Sequence, residues 1–504
     1  MSPSSILLLS LCLLTSPFFA LSSNPSGYFI NCGATEDVTV DGIKYIPDSD
    51  GKYIKIGNTA TITKPDISPL LTTVRYFPDA ASRKFCYSFP VTKNGRYLLK
   101  SMYYYGNFDG KNQAPVFDQI VEGTRWSIVN TTEEYAKGLS SYYEVVVRAT
   151  GKNLGVCVAR NKYTGSSSPF ISALEVTLLD SSMYNPTDFE KYALVAVARN
   201  AFGTQDFISF PDDQFNRMWQ PYKEEQNSVV VKSQSNVSSS EFWNLPPSKA
   251  FSAGITAKNS NEKTLEINWP PVSLPGSQYY ISLYFQDNRT PDSWRVFDVS
   301  INGVKFFSGL NATTKGVTVY GAQWPLSGQT KIQLSTTSGE DAPVINAGEV
   351  YQVFPLSGRT RTRDVIALED LAKSLEKAPA DWKGDPCLPE GNSWTGVTCS
   401  NEFNARVLSL NLTNAGLVGS LPASINNLSA LDHLLLAGNK LSGHIPDLSG
   451  LRELETLHLE DNKFEGSLPA SLNQLPKLRQ VYSDFQAGNS AGKIPIAPQG
   501  KVAE

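Results

Sequence analysis

Histidine and long apolar segments are both scarce in this sequence. The only histidines are His433, His444 and His458, so the first 432 residues contain none. This absence excludes a histidine-based catalytic triad and a histidine-ligated metal site from most of the chain. After the first residues, no apolar run approaches the roughly 18 residues of a membrane-spanning helix.

Neither the charge distribution nor the nucleophilic residues indicate nucleic-acid binding or catalysis. The 44 basic and 48 acidic residues leave a net charge of −4, with no basic stripe, so nucleic acid is not an expected partner. No nucleophile–base pair is recognisable in the sequence, and we therefore expect a protein that is not an enzyme and needs neither cofactor nor metal.

The first 22 residues carry no charged side chain and include the apolar run Ile6–Leu14, which is followed by small residues. This pattern predicts a secretory signal peptide over residues 1–22. Six N-x-[ST] sequons agree with secretion and predict glycosylation. They lie at Asn130, Asn236, Asn288, Asn311, Asn411 and Asn427.

Five cysteines follow the signal peptide. Cys387 and Cys399 are close in sequence and flank the start of the repeat region described next, so we predict a disulfide between them. Cys32, Cys86 and Cys157 leave one cysteine that is either free or paired between chains, and the sequence does not fix which.

Three segments near the C-terminus are copies of one pattern, beginning at Val407, Leu431 and Leu454. A period of this size with L-x-x-L-x-L predicts a leucine-rich-repeat solenoid, in which stacked copies bury a common row of leucines. Asn439 and Asn462 occupy the turn after the strand and predict a ladder of side-chain amides.

Surface positions between the inward leucines predict a concave face that includes His433 and His458 as candidate ligand contacts. A plain solvated face is the alternative interpretation. Asn411 lies on the same predicted face, where a glycan would obstruct the first repeat.

Upstream, short alternating runs such as Tyr142–Ala149 and Tyr279–Phe285 predict packed antiparallel sheets.

The segment Arg363–Lys377, just before the repeats, predicts a helix. Its apolar residues fall on one face, and Asp364 is the expected N-terminal cap.

Several ordered motifs resemble the plant malectin-like ectodomain. They are GYFINCGA (27–34), VRYFPD (74–79), FCYSFPV (85–91) and INAGEVYQVF (345–354). The segment DWKGDPCLPEGNSWTGVTC (381–399) resembles the junction found in malectin-like, leucine-rich-repeat receptor kinases, and the ending L-x-G-x-[IL]-P resembles the plant-type repeat. The resemblance covers an ectodomain only.

The resemblance implies a mainly β fold with two tandem malectin-like β-sandwich lobes, then a short helix and a leucine-rich-repeat solenoid with an extra strand per repeat. The expected boundaries are given in chain order. They are 27–182 for lobe 1, 187–356 for lobe 2, 357–383 for the linker and helix, 384–404 for the repeat N-cap and 405–498 for the repeats.

Animal malectin binds a glucose disaccharide through aromatic rings and a carboxylate at loop tips. None of its contact residues is carried over to this chain, but the chemistry is general, because the apolar face of a sugar stacks on an aromatic ring while Asp and Asn side chains hydrogen-bond to its hydroxyls. The candidate residues here are Tyr104, Asn107, Asp109 and Trp126. The alternative is that the aromatic residues pack in the sandwich core. Exposed aromatic rings in a groove would favour sugar binding, whereas an open cleft between lobes or a bare solenoid face would favour peptide binding.

The resulting hypothesis is a secreted recognition protein of the plant cell wall or apoplast that acts in receptor-type signalling. Its expected ligand is a glucose-containing or pectic carbohydrate or an extracellular peptide, and membrane receptor kinases are possible partners. The alternatives are a co-receptor or decoy that binds peptides or receptors without binding sugar, and a structural apoplastic glycoprotein. A longer, membrane-anchored form is a further possibility.

Overall fold

The fold was analysed in a computed structural model, which describes residues 24–64, 66–222, 228–234, 237–258, 263–338 and 341–483. The predicted signal peptide, the sequon at Asn236 and the end of the predicted repeat region lie outside these residues. The described chain is mainly β, with α-helices only at Thr132–Lys137 and Thr362–Ser374. None of the helices in these ranges is long and apolar enough to cross a membrane.

A single sheet of 11 strands runs through both lobes and is here called the shared sheet. The lobes join where Ser141–Arg148 pairs antiparallel with Tyr192–Phe202, through Val145 opposite Val195. In spatial order the strands are Val38–Val40, Ile43–Pro47, Gly27–Asn31, Ala173–Leu178, Arg96–Tyr103, Ser141–Arg148, Tyr192–Phe202, Ala347–Pro355, Leu274–Phe285 and Val317–Gly328, with Gln220–Tyr222 beside Tyr192–Phe202.

Smaller sheets pack on the shared sheet and make each lobe a sandwich. In lobe 1 they are Phe85–Pro90, Asn153–Arg160, Val116–Val121 and Thr124–Asn130, and Phe170–Ile171, Thr73–Tyr76 and Asn58–Thr61. In lobe 2 they are Thr264–Asn268, Lys331–Ser338, Trp294–Ile301 and Val304–Thr313, and Ser228–Lys232, Ala253–Ala257 and Val344–Ile345. Alternating apolar residues fill the space between the layers, as the strand patterns predict.

The solenoid begins with Val397–Cys399, antiparallel to Val407–Asn411, and continues through the parallel strands His433–Leu435, Thr456–His458 and Gln480–Tyr482. The predicted extra strand is present and forms a second parallel sheet. Its strands are Val418–Gly419, Lys440–His444 and Lys463–Glu465. The repeat leucines and the apolar face of Thr362–Ser374 form one core.

The predicted asparagine ladder is present. The Asn439 side chain accepts a hydrogen bond from the Leu417 amide at 2.9 Å and donates to the carbonyls of Leu412 and Leu436, both at 2.8 Å. Asn462 makes the equivalent contacts one repeat later, accepting from the Leu441 amide at 3.0 Å. These side chains replace backbone partners that the turns between repeats cannot supply.

The helix Thr362–Ser374 departs from the sequence expectation at its start. The helix begins after Arg361 and no side chain caps it, so the expectation that Asp364 caps it is wrong. Asp364 is instead fully buried, accepts from Arg406 Nε at 2.9 Å and accepts from the Val407 amide at 3.0 Å. The carboxylate therefore ties the helix to the first repeat.

Two disulfides are present among the described cysteines. Cys387–Cys399 closes the solenoid N-cap, which confirms the predicted pairing. Cys86 pairs with Cys157 across adjacent strands of lobe 1, and Cys32 is buried as a free thiol. Burial raises the pKa of the Cys32 thiol well above its usual value, with the Asp48 carboxylate adding to the effect.

Candidate functional site

The lobe 1 aromatic candidates do not present ring faces to solvent. Tyr104 follows the strand Arg96–Tyr103 and is 5% exposed, and Trp126 is also 5% exposed. Both rings belong to the apolar core of lobe 1, and the Lys64 ammonium lies 5.3 Å from the centre of the Tyr104 ring. A sugar could stack on either ring only after rearrangement, so their assignment as sugar contacts stays a prediction.

Asn107 and Asp109 stabilise the loop that follows Tyr104. Asn107 accepts a hydrogen bond from the Asn112 amide at 2.8 Å. Asp109 accepts from Ser167 Oγ at 2.6 Å and from the Tyr105 hydroxyl at 2.5 Å. Burial opposes ionisation of Asp109, but these hydrogen bonds outweigh it and lower its pKa. The described contacts are those of a well-satisfied turn.

His433 and His458 lie on the strand face, in two columns set by the parallel register, whereas His444 belongs to the second solenoid sheet. The first column is Ser409, His433, Thr456 and Gln480, and the second is Asn411, Leu435, His458 and Tyr482. The leucines between them point inward and are buried. We call these two columns the strand face of the solenoid.

Contacts within the strand face are concentrated at its C-terminal end. The ring centres of His458 and Tyr482 are 4.6 Å apart, and His458 Nδ1 lies 3.2 Å from Glu460 Oε1. His433 Nε2 lies 3.9 Å from Asp432 Oδ1. Tyr482 is 38% exposed, so an aromatic ring beside an imidazole is accessible at this end.

The sequons differ sharply in their surroundings. Asn130, Asn311, Asn411 and Asn427 are exposed. Asn411 belongs to the second column of the strand face, as expected from the sequence. Asn288 is 5% exposed and its Nδ2 donates to Gln286 Oε1 at 2.5 Å, so this packing leaves no room for a glycan on that nitrogen. The expectation of glycosylation at Asn288 therefore disagrees with the structure, and glycosylation at the exposed sequons stays a prediction.

A buried network of charged side chains lies where the two lobes meet. An open cleft between the lobes was the feature that would favour peptide binding. Arg199 pairs with Glu144 of lobe 1 and, at 3.0 Å, with Glu349 of lobe 2. Arg217 donates to Asp213 at 2.9 Å, and its guanidinium also lies 3.8 Å from the Glu349 carboxylate. Burial opposes ionisation of Glu349, but Arg217 and Arg199 outweigh it and lower its pKa. This network stabilises the junction between lobes and is sealed from solvent.

The junction between lobe 1 and the solenoid N-cap contains charged groups that the sequence did not single out. Lys84 is fully buried and donates to the carbonyls of Asp385 at 2.5 Å and Leu388 at 2.8 Å. Burial lowers its pKa to about 8. Glu122 lines a cavity of about 250 Å³ at the same junction, and burial raises its pKa to about 6.

Lobe 2 carries an exposed aromatic pair that motif reasoning missed because its members are distant in sequence. Trp243 is 48% exposed and Tyr320 is 38% exposed. Their ring centres are 5.3 Å apart with planes inclined by 30°. Two accessible rings of this size form a platform suited to the apolar face of a ligand.

Comparison with known proteins matches these observations. The malectin-like domain model matches residues 30–353, the leucine-rich-repeat N-terminal domain model matches residues 361–400, and a leucine-rich-repeat model matches residues 453–475. The Arabidopsis thaliana protein "Probable LRR receptor-like serine/threonine-protein kinase PAM74" is 33% identical over 82% of this chain and 46% of its own length. A second Arabidopsis thaliana kinase of this type, At1g67720, is 29% identical over 92% of this chain and 51% of its own length. The chain thus spans about half the length of these relatives.

Solved structures share the fold of the two lobes at low sequence identity. The plant complex of the peptide RALF23 with FER and LLG2 aligns with a TM-score of 0.54 at 16% identity, over 66% of this chain and 96% of the other. The ANX2 ectodomain of Arabidopsis thaliana aligns with a TM-score of 0.52 at 17% identity, over 65% of this chain and 96% of the other. These alignments establish the fold of the region that they cover.

Proposed function

Because this chain belongs to the malectin-like domain family, we propose that it is an extracellular recognition protein of receptor-type signalling that binds a peptide segment on the strand face of its solenoid. The proposed location is the plant cell surface or apoplast, where the peptide is either free or part of a membrane receptor. The role of the lobes in this proposal is to hold the solenoid in a fixed orientation.

The observation that carries this proposal is the pair of side-chain columns. Parallel stacking places hydrogen-bonding side chains from successive repeats at regular spacing on one accessible surface, which suits an extended peptide. Tyr482 and His458 add an aromatic contact and a polar donor at one end. Tyrosine is a common source of binding energy at interfaces because it offers a large rigid area and a hydroxyl.

A glycan at Asn411 would cover only one end of the strand face and leave the other end accessible to a ligand. Asn411 stands at the N-terminal end of the second column, three strands away from Tyr482. The glycan would therefore restrict the ligand to the part formed by His433, Thr456 and the residues C-terminal to them. The proposed peptide site is accordingly the His458–Tyr482 end.

Carbohydrate binding is the second candidate, and the exposed pair of Trp243 and Tyr320 favours it. The buried state of Tyr104 and Trp126 favours placing a sugar on lobe 2 instead of lobe 1. A glucose-containing or pectic oligosaccharide would stack its apolar face on these rings.

Direct binding assays separate the two candidates. The secreted protein is tested against a panel of secreted plant peptides, with RALF23 as the first member, and against glucose disaccharides and pectin fragments on a glycan array. Peptide binding that Trp243→Ala leaves intact supports the main proposal. Glycan binding that Trp243→Ala abolishes, together with no binding to any peptide, contradicts it and favours the carbohydrate function.

A further inference from the structure

An open cavity on the outer sheet of lobe 2 has an exposed tryptophan as one wall. Its volume is about 510 Å³, within the roughly 300–1,000 Å³ typical of small-molecule sites. Trp294 is 51% exposed, and Pro291 and Val296 add apolar surface. Trp294 therefore offers an accessible aromatic ring to a group that enters the cavity.

The sequon residue Asn311 stands in the same cavity. In the antiparallel pair formed by Trp294–Ile301 and Val304–Thr313, Trp294 lies opposite Thr313 and Val296 lies opposite Asn311. Side chains of opposed residues share one face of a sheet, and residues two apart on a strand do so as well. Asn311 and Trp294 are therefore diagonal neighbours, typically about 7–8 Å apart between backbones.

The burial pattern confirms which face this is. Trp294 and Asn311 are exposed, whereas the alternate residues Arg295 and Ala312 are buried on the inner side of the sheet. Asn311 Nδ2 makes no hydrogen bond with any residue that the structure describes, in contrast to the buried Nδ2 of Asn288. The nitrogen is thus accessible for modification.

We propose that the occupant of this cavity is the protein's own N-linked glycan, attached at Asn311 and packed with its first N-acetylglucosamine against the Trp294 ring. The apolar C–H face of the sugar would cover the indole, and polar groups at the rim, including Lys315 and Asp292, would meet its hydroxyl and acetamido groups. The glycan then acts as a covalently attached part of the lobe 2 surface.

The inference also bears on ligand binding. A cavity filled by the chain's own sugar is closed to free carbohydrate, which leaves the pair of Trp243 and Tyr320 as the accessible aromatic platform of lobe 2. The inference rests on the extracellular location within the proposed function, because only proteins that pass through the secretory pathway receive such glycans.

The test is a double-mutant cycle on protein secreted from plant cells. Peptide mass mapping first measures glycan occupancy at Asn311, and at Asn130 and Asn427 for comparison. Melting temperatures are then compared for the wild type, Trp294→Ala, Thr313→Ala and the double variant. Thr313→Ala removes the sequon while Asn311 is kept, and Trp243→Ala removes an indole of similar exposure outside the cavity as a matched control.

We expect Asn311 to be occupied and Trp294→Ala to lower the melting temperature by about 2–4 °C only when the glycan is present. The effect of Trp243→Ala should be the same with and without the Asn311 sequon. The inference is overturned if Trp294→Ala lowers the melting temperature equally with and without the Asn311 sequon. It is also overturned if Asn311 carries no glycan while Asn130 and Asn427 do. Neither result would contradict the proposed function. Absence of glycans at every sequon overturns both the inference and the proposed location.

Discussion

Gly384 packs directly against the disulfide between Cys86 and Cys157. A β-carbon at Gly384 would lie 3.1 Å from the Sγ atoms of both cysteines, and its φ of +68° favours glycine as well. The Gly-Asp-Pro-Cys segment of the solenoid N-cap therefore uses the lobe 1 disulfide as its docking surface. Gly155 lies beside the same contact, close to the Gly384 backbone.

We predict that Gly384→Ala loosens the attachment of the solenoid to lobe 1. The added methyl group would lie closer to both sulfur atoms than ordinary packing allows, and a cross-linked pair of cysteines moves aside less easily than a flexible side chain. Gly391→Ala is the matched control, since Gly391 also has positive φ but a β-carbon added there would meet no atom within 4 Å. Chemical denaturation should show a loss of about 1–3 kcal/mol for Gly384→Ala beyond that of Gly391→Ala. Equal losses would contradict the close packing.

Stability should fall as pH rises because of Glu122. Its pKa in the folded protein is about 6, above the value of 4.5 for the unfolded chain, so the folded state binds more protons between these values. The stabilising contribution is complete below about pH 4.5 and decreases as pH rises to about 6. Relative to Glu122→Gln, the free energy of unfolding of the wild type should decrease by up to about 2 kcal/mol from pH 4 to pH 7. A constant difference between the two proteins over this range would contradict the assignment.

The asparagine ladder should be a major source of solenoid stability. Asn439→Ala leaves the Leu417 amide without its buried partner, whereas the Leu412 carbonyl keeps a hydrogen bond from the Ala415 amide at 3.3 Å. An unsatisfied buried backbone group costs about 1–3 kcal/mol, so we expect a loss of about that size in denaturant unfolding. Asn401→Ala, at an exposed position before the first repeat, serves as the control and should have little effect. A small loss for Asn439→Ala would show that water replaces the side chain.

Local patterns in the sequence predicted the solenoid well. The repeat period fixes which leucines stack, the asparagine position fixes the ladder, and the proximity of Cys387 and Cys399 was enough to predict their pairing. Each of these features depends on residues within one or two repeats. The spacing of residues that are close in sequence is therefore enough to predict the geometry of these features.

Features that depend on distant contacts were not predictable in the same way. Alternation along a strand shows that Tyr104 and Met102 share a face, but not that the chain turns after Tyr103 and buries Tyr104 in the core. The continuous sheet across the lobes requires Val145 to meet Val195, and the buried ion network requires Arg199 to reach Glu349. Asn288 matches a sequon in sequence, yet a neighbouring side chain determines that its nitrogen is buried.

The central claim is that a peptide binds at the His458–Tyr482 end of the strand face. The most direct test measures the affinity of a peptide identified in the panel, RALF23 being the first tried, for the wild type, Tyr482→Ala and Lys463→Ala. Lys463 is exposed on the second solenoid sheet and serves as a control for general surface effects. We predict that Tyr482→Ala weakens binding by at least about 2 kcal/mol, about 30-fold, as expected for a tyrosine that supplies a large share of the binding energy. Unchanged affinity for Tyr482→Ala, with the protein folded, would contradict the claim.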